Sequence, residues 1–168
     1  MPWTAQWRSP TDSTTDLWAV AVSPDGHLVS SRSNEIELLD LSRRRLLHRW
    51  RELARVFAVA YLVAQRRHDR ETERIVAVAG KERIIRLRDP RGVEIRQPLV
   101  GHTEPISALA AVPGDEGYLL SGSDDRTLRL CRCSRRTRRR PSHWTSPPSG
   151  SSPCGTDSTS PSSWRGSR

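Results

Sequence analysis

The chain has 168 residues, of which 28% are charged and 35% hydrophobic, and it carries a formal net charge of +9. No apolar run reaches the roughly eighteen residues that a spanning helix needs, Val56 to Ala64 being far too short, and Met1 to Asp16 holds no apolar signal-peptide core. A membrane-spanning or secreted protein is therefore not expected, and the cytoplasm is the predicted location.

In chain order, residues 1–16 contain Trp3, Trp7, two prolines and a Ser/Thr/Asp-rich run, and read as a flexible lead-in or an edge cap. A first structural copy covers about residues 17–50. Within it Leu17, Ala19, Ala21, Leu28, Ile36 and Leu38 alternate as half-buried strands require. Ser23-Pro24-Asp25-Gly26 forms its first turn, Arg43, Arg44 and Arg45 a tight solvated turn, and Leu46 to Trp50 an outer strand. A second copy, about 56–100, alternates again at Val76, Val78, Ile85 and Leu87. Its insertion Gln65 to Arg74 has no apolar residue, which predicts a hairpin tip in water. The third copy, 101–130, is the clearest. Gly101-His102 leads into an apolar strand from Pro105 to Val112, a turn from Pro113 to Gly117, and a strand from Tyr118 to Ser123. The polar turn Asp124-Asp125-Arg126 and a strand from Thr127 to Leu130 complete it.

Two landmarks agree on the repeat. The inner strands begin at Leu17, Val56 and Ile106, spacings of 39 and 50, and the last apolar residues of the third strands fall at Leu38, Leu87 and Leu130, spacings of 49 and 43. A period of this length means stacked sheets rather than one self-contained domain.

Three motifs make a family resemblance specific. Gly101-His102, the turn Ser23-Pro24-Asp25-Gly26, and the run Ser121-Gly122-Ser123-Asp124-Asp125-Arg126-Thr127-Leu128-Arg129-Leu130 resemble the matching elements of the WD-repeat β-propeller family. The resemblance covers about residues 17–130 and implies an all-β fold: an incomplete β-propeller of about three four-stranded antiparallel blades, followed by a disordered tail. It also implies a buried hydrogen-bond chain in the third blade from His102 through Ser121 and Asp125, with Cys131 standing where the family's Trp would donate. The repeat explains this His and Asp structurally, without catalysis. The equivalent residues are Asp12, Ser13 and Ser33 in the first copy and Arg51, Glu52 and Glu82 in the second. Asp40 and Asp89 are kept where the family's Trp-Asp pair ends, but Leu39 and Arg88 replace the Trp. Neither copy can build the same chain, so both are expected to rely mainly on apolar packing.

Composition breaks after Leu130. Residues 131–168 contain no Ala, Val, Ile, Leu, Met, Phe or Tyr but hold all three cysteines, eight arginines, eleven serines and five prolines, an inventory that cannot form a packed core. The abrupt change suggests a truncated or frame-disrupted reading of a longer gene. Of the net charge, +7 lies in these residues and +2 in residues 1–130. Arg135-Arg136-Thr137-Arg138-Arg139-Arg140 could therefore hold polyanions nonspecifically through counterion release. Cys131, Cys133 and Cys154 are odd in number, lack a Cys-x-x-C pair, and read as free thiols rather than a disulfide framework or a zinc site. Lys81 is the single lysine against 27 arginines, a codon-usage sign of a GC-rich, bacterial source.

No nucleophile elbow, phosphate loop or paired carboxylates occur in a recognisable setting, and no cofactor or metal is expected. Three blades fall short of the about four to eight that close a propeller, so exposed sheet faces should recruit company: further copies, another propeller segment or a protein partner. The function expected from the resemblance is a non-enzymatic protein-protein interaction scaffold. Candidate contacts are Arg66, Arg67, Asp69, Arg70 and Glu71 of the insertion and the turn residues Asp25, Glu116 and Arg126. Polyanion or nucleic-acid binding through the arginine-rich tail and a nonfunctional gene remnant are the alternatives.

Overall fold

The computed structural model describes residues 16–65, 72–114 and 117–133, all within the first of two compact units, Met1–Arg136. These residues form strands and turns without a helix. In chain order the strands are β1 (Leu17–Val22), β2 (His27–Arg32), β3 (Glu35–Asp40), β4 (Arg45–Arg51), β5 (Val56–Gln65), β6 (Thr72–Gly80), β7 (Ile85–Arg88), β8 (Glu94–Leu99), β9 (Ile106–Ala111), β10 (Tyr118–Ser123) and β11 (Leu128–Arg132). They make three antiparallel meanders, ordered β1-β2-β3-β4, β5-β6-β7-β8 and β9-β10-β11. The third sheet has three strands among the described residues. The blades are thus an open, incomplete propeller.

Alternation along the middle sheet decides the stacking. Val59, Tyr61, Val76 and Val78 pack against Val29, Ile36 and Leu38 of the first sheet. The intervening Ala60, Leu62, Ile75, Ala77 and Ala79, with Ile85 and Leu87, pack against Ile106 and Leu119 of the third. Being covered on both faces, β5 and β6 read as near-continuous apolar runs, which is the pattern double burial demands.

Each innermost strand carries the same irregularity. Register slips between Leu17 and Ala19, between Val56 and Ala58, and opposite Gly122/Ser123, whose partners are Ala108 and Ile106. Trp18, Phe57 and Ser107 are therefore the extra residues of three matching bulges, and a bulge bends its strand and raises the local twist. The turn after the second strand is also conserved in geometry between copies. Arg83 and Arg126 occupy equivalent positions and both adopt left-handed φ, 62° and 67°. Just before that turn, Gly80 passes so close to the linker that a Cβ would lie 2.2 Å from the Arg55 carbonyl oxygen. Lys81 N–H donates to that oxygen at 3.1 Å, as Asp124 N–H does to Pro105 at 3.0 Å, tying each turn to the linker that leads into its blade.

Three expectations need correction. Gln65, Thr72, Glu73 and Arg74 lie in strands, so the predicted hairpin tip shrinks to residues 66–71, which are outside the described residues. The polar strand ends are held by ion pairs instead of apolar contacts: Arg96 to Glu73, and Arg74 to Asp25 at 2.8 Å. The blade also continues past Leu130. Cys131 and Arg132 belong to β11, and Cys133 is buried in the core between the second and third sheets, as a small hydrophobe can be. Burial pushes the Cys133 thiol up to about 11. Third, Cys133 is a free thiol, but Cys131 is disulfide-bonded.

Candidate functional site: linker locks and the exposed rim

The residues with reactive side chains gather where a linker meets the turn of the blade it introduces. In the third blade, the linker brings His102 over β10 and the turn that follows it. His102 Nδ1 is 2.8 Å from Asp125 Oδ2 and its Nε2 is 2.9 Å from Ser121 Oγ. The order Ser-His-Asp matches a hydrolase relay in connectivity but not in setting. Ser121 is 3% exposed and its Oγ also lies 3.4 Å from the Arg129 carbonyl oxygen, so the hydroxyl faces the sheet interior rather than a substrate.

Asp125 gathers more donors than the sequence indicates. It accepts from Thr103 N–H at 3.1 Å, from Thr127 N–H at 2.9 Å and from the Thr127 hydroxyl at 2.6 Å. The hydrogen bond from Thr127, followed by those from His102 and the two backbone amides, outweighs desolvation and holds its carboxyl well below the usual carboxylate range. Thr127 also places its Oγ1 3.3 Å from His102 Nδ1. It is the member that sequence reasoning missed, and its position two residues after an Asp in a turn was the available signal.

The second blade occupies the same station with charges. Glu52, on the linker where His102 stands in the third copy, is 5% exposed. Its carboxylate accepts from two of the three guanidinium nitrogens of Arg88, Nε and Nη2, the latter at 2.8 Å. Trp50 Nε1 donates to it at 3.1 Å and Arg86 approaches at 3.7 Å. Arg86 in turn donates to Glu82 at 2.9 Å and to Glu94 at 3.3 Å. The expectation that this blade relies mainly on apolar packing is thus incomplete: Glu at the His position and Arg at the Trp position compensate each other as a bidentate pair. Glu52 also binds the first blade, donating its N–H to the Asn34 carbonyl at 2.8 Å while its own carbonyl accepts from Asn34 Nδ2 at 3.0 Å. In the first blade the buried Glu37 faces Arg49 at 3.6 Å and Arg32 at 3.9 Å.

Of the candidate contact residues, Arg126 is exposed at its turn. Asp25 is committed elsewhere. It takes hydrogen bonds from the Ser23 hydroxyl and from Arg74 of the second sheet, and lies 3.1 Å from His27 Nδ1. Partial desolvation raises its pKa, but the bonds from Ser23, His27 and Arg74 outweigh it and leave the carboxyl well below the usual range. Asp25 therefore works as a strut between two blades. Arg66, Arg67, Asp69, Arg70, Glu71 and Glu116 lie outside the described residues. On the inner strands, Trp18 and Phe57 sit with ring centroids 5.7 Å apart and Arg55 lies over the Trp18 ring. Both aromatics are bulge residues, a placement that the linear pattern could not reveal.

Comparison with known proteins bears on the same repeat. Residues 93–131 match the family described as WD domain, G-beta repeat. Over 116 residues the chain is 29% identical to an uncharacterized WD repeat-containing protein of the cyanobacterium Synechocystis sp. (strain ATCC 27184 / PCC 6803 / Kazusa). That match covers 68% of this chain and 31% of the relative, and a cyanobacterial relative accords with the bacterial codon signature. The solved structures of U3-55K and of the RRP9 WD40 repeats are similar at TM-score 0.58 each, with 18% and 19% identity. Each covers 75% of this chain and 38% of its own, a likeness of fold alone. The chain spans about a third of the length of these relatives. With a WD-repeat match on its third blade, a WD-repeat relative along two thirds of its length and three stacked antiparallel sheets, the chain carries a WD repeat and has the fold of WD-repeat propeller blades.

Proposed function

We propose that this chain is a non-enzymatic scaffold that works by protein-protein contact, as a fragment of a longer propeller or one part of an assembled one. The carrying observation is how its side chains are spent. His102, Ser121 and Asp125, and likewise Glu52 and Arg88, are bonded to one another inside the blades, while the outermost sheet face keeps Leu128 and Leu130 exposed at 73% and 62%. Exposed apolar faces of this kind mark contact surfaces. The exposed Arg126, two residues before Leu128, supplies a polar contact beside them.

A truncation tests this against polyanion binding. A chain ending at Cys133 should retain protein crosslinks from a photoreactive residue placed at Arg126, and should lose the retention on heparin that the arginine-rich segment gives the full chain. Loss of the crosslinks with the tail would transfer the function to the polyanion reading. A folded chain with no crosslinks in either form would indicate a gene remnant, and reading the flanking DNA in all frames would locate the rest of the gene.

A further inference from the structure

The repeat lets the two ends of the stack be compared with its own interior. At the junction of the first and second sheets, the face turned towards the second sheet presents Ala19, Ala21, Ile36 and Leu38. At the next junction the equivalent face presents Ala58, Ala60, Ile85 and Leu87, the last three being part of the buried cluster. The same positions of the third sheet are Ala108, Ala110, Leu128 and Leu130, and there Leu128 and Leu130 are exposed. Small residues on the inner strand and large aliphatics on the third strand recur, but nothing among the described residues covers the third set.

The receiving faces show the same correspondence. The second sheet receives the first through Val59, Tyr61 and Val76, and the third receives the second through Leu109, Ala111 and Leu119. The equivalent residues of the first sheet are Val20, Val22 and Leu28, of which Val20 and Val22 are 54% and 59% exposed. One end of the stack is thus a donor face without an acceptor, and the other an acceptor face without a donor.

We propose that a second copy of this chain supplies both, its first blade seating on Leu128 and Leu130 while its third blade covers Val20 and Val22. This deepens the scaffold reading by naming the occupant of the open faces. The contact is heterologous, and two copies of three blades close a ring of six, within the range of about four to eight blades that propellers adopt. Val22 and Leu130 should share one apolar cluster, because their equivalents do so at both internal junctions: Tyr61 with Leu38, and Ala111 with Leu87.

Sedimentation equilibrium of the full chain tests it. The expected mass is twice the 19.0 kDa of one chain. Val22→Lys and Leu130→Glu, both at exposed positions, should each give a folded monomer by circular dichroism. Mixing the two variants should restore the pair, since one junction is then intact and the other joins opposite charges. A folded wild-type monomer, a pair insensitive to both variants, monomers that stay apart on mixing, or an open series of larger masses would each overturn the proposal. Crosslinks from Arg126 to a chain of different mass test the scaffold reading separately, because self-pairing yields only products of this chain's own mass.

Discussion

The second and third blades solve one structural problem with different chemistry. Each must fasten its incoming linker to its own turn, and each does so through the residue at one linker position, Glu52 or His102. The third blade uses an imidazole between a hydroxyl and a carboxylate that is itself satisfied by four donors. The second uses a carboxylate between arginines. A polar relay costs little to assemble because each member has a short side chain and a fixed partner. A buried ion pair carries a desolvation cost that only good geometry offsets, and it penalises heavily the loss of one partner. What the difference teaches is that this repeat conserves a position and a fastening task rather than a residue.

The comparison can be broken most severely at Glu52. Glu52→Ala takes from the part-buried Arg88 its bidentate partner, leaving it the Gly92 carbonyl and a 3.9 Å approach to Glu94, and should cost up to about 3–5 kcal/mol in a urea titration, whereas a well-packed Glu52→Leu/Arg88→Met pair should recover most of that loss. In the third blade, Ser121→Ala removes the partner of a buried ring nitrogen and should cost about 1–3 kcal/mol, less than the charged lock. Gly26 sharpens the contrast by showing what a turn alone is worth. Its φ is 82° with open space around it, so Gly26→Ala should cost about 1–2 kcal/mol from backbone strain without disturbing either lock. The smallest effect belongs to the exposed strut, where Arg74→Ala should cost about 0.2–1 kcal/mol and less at high salt.

Acid tests the third-blade lock in another way. Because the folded-state pKa of Asp125 is depressed, its contribution is fully present above the ordinary carboxylate pKa and is lost as pH falls below it. Stability should therefore decline on acidification below about pH 4, and Asp125→Asn should flatten that decline when chemical denaturation is followed against pH.

The blade frame was legible in the sequence because alternation and period are properties of a sheet's faces. Leu17, Val56 and Ile106 begin the inner strands in the structure, as their spacing indicates. His102, Ser121 and Asp125 could be placed because a motif carried them. Glu52 and Arg88 were harder. Read one at a time, each is a departure from the pattern, and only as a pair of opposite charges at the His and Trp positions do they become a substitute. Glu73 and Arg74 misled for a related reason: polarity predicts exposure only when no partner sits across the sheet or on the next one, and here Arg96 and Asp25 do. Cys133 was grouped with the residues after it by composition, although its size and weak polarity suit a core. The bulges at Trp18, Phe57 and Ser107 are invisible to a period-two reading, because an inserted residue merely shifts its phase.

The place of Glu52 and His102 ahead of their sheets sets where such a polypeptide may be divided. A cut at Val56 or Ile106, where the strands start, would strand each fastening residue on the wrong piece. Modules excised or shuffled from Arg51 or Gly101 would carry their own clasp with them, so the heritable segment is offset from the visible sheet by about one turn of linker.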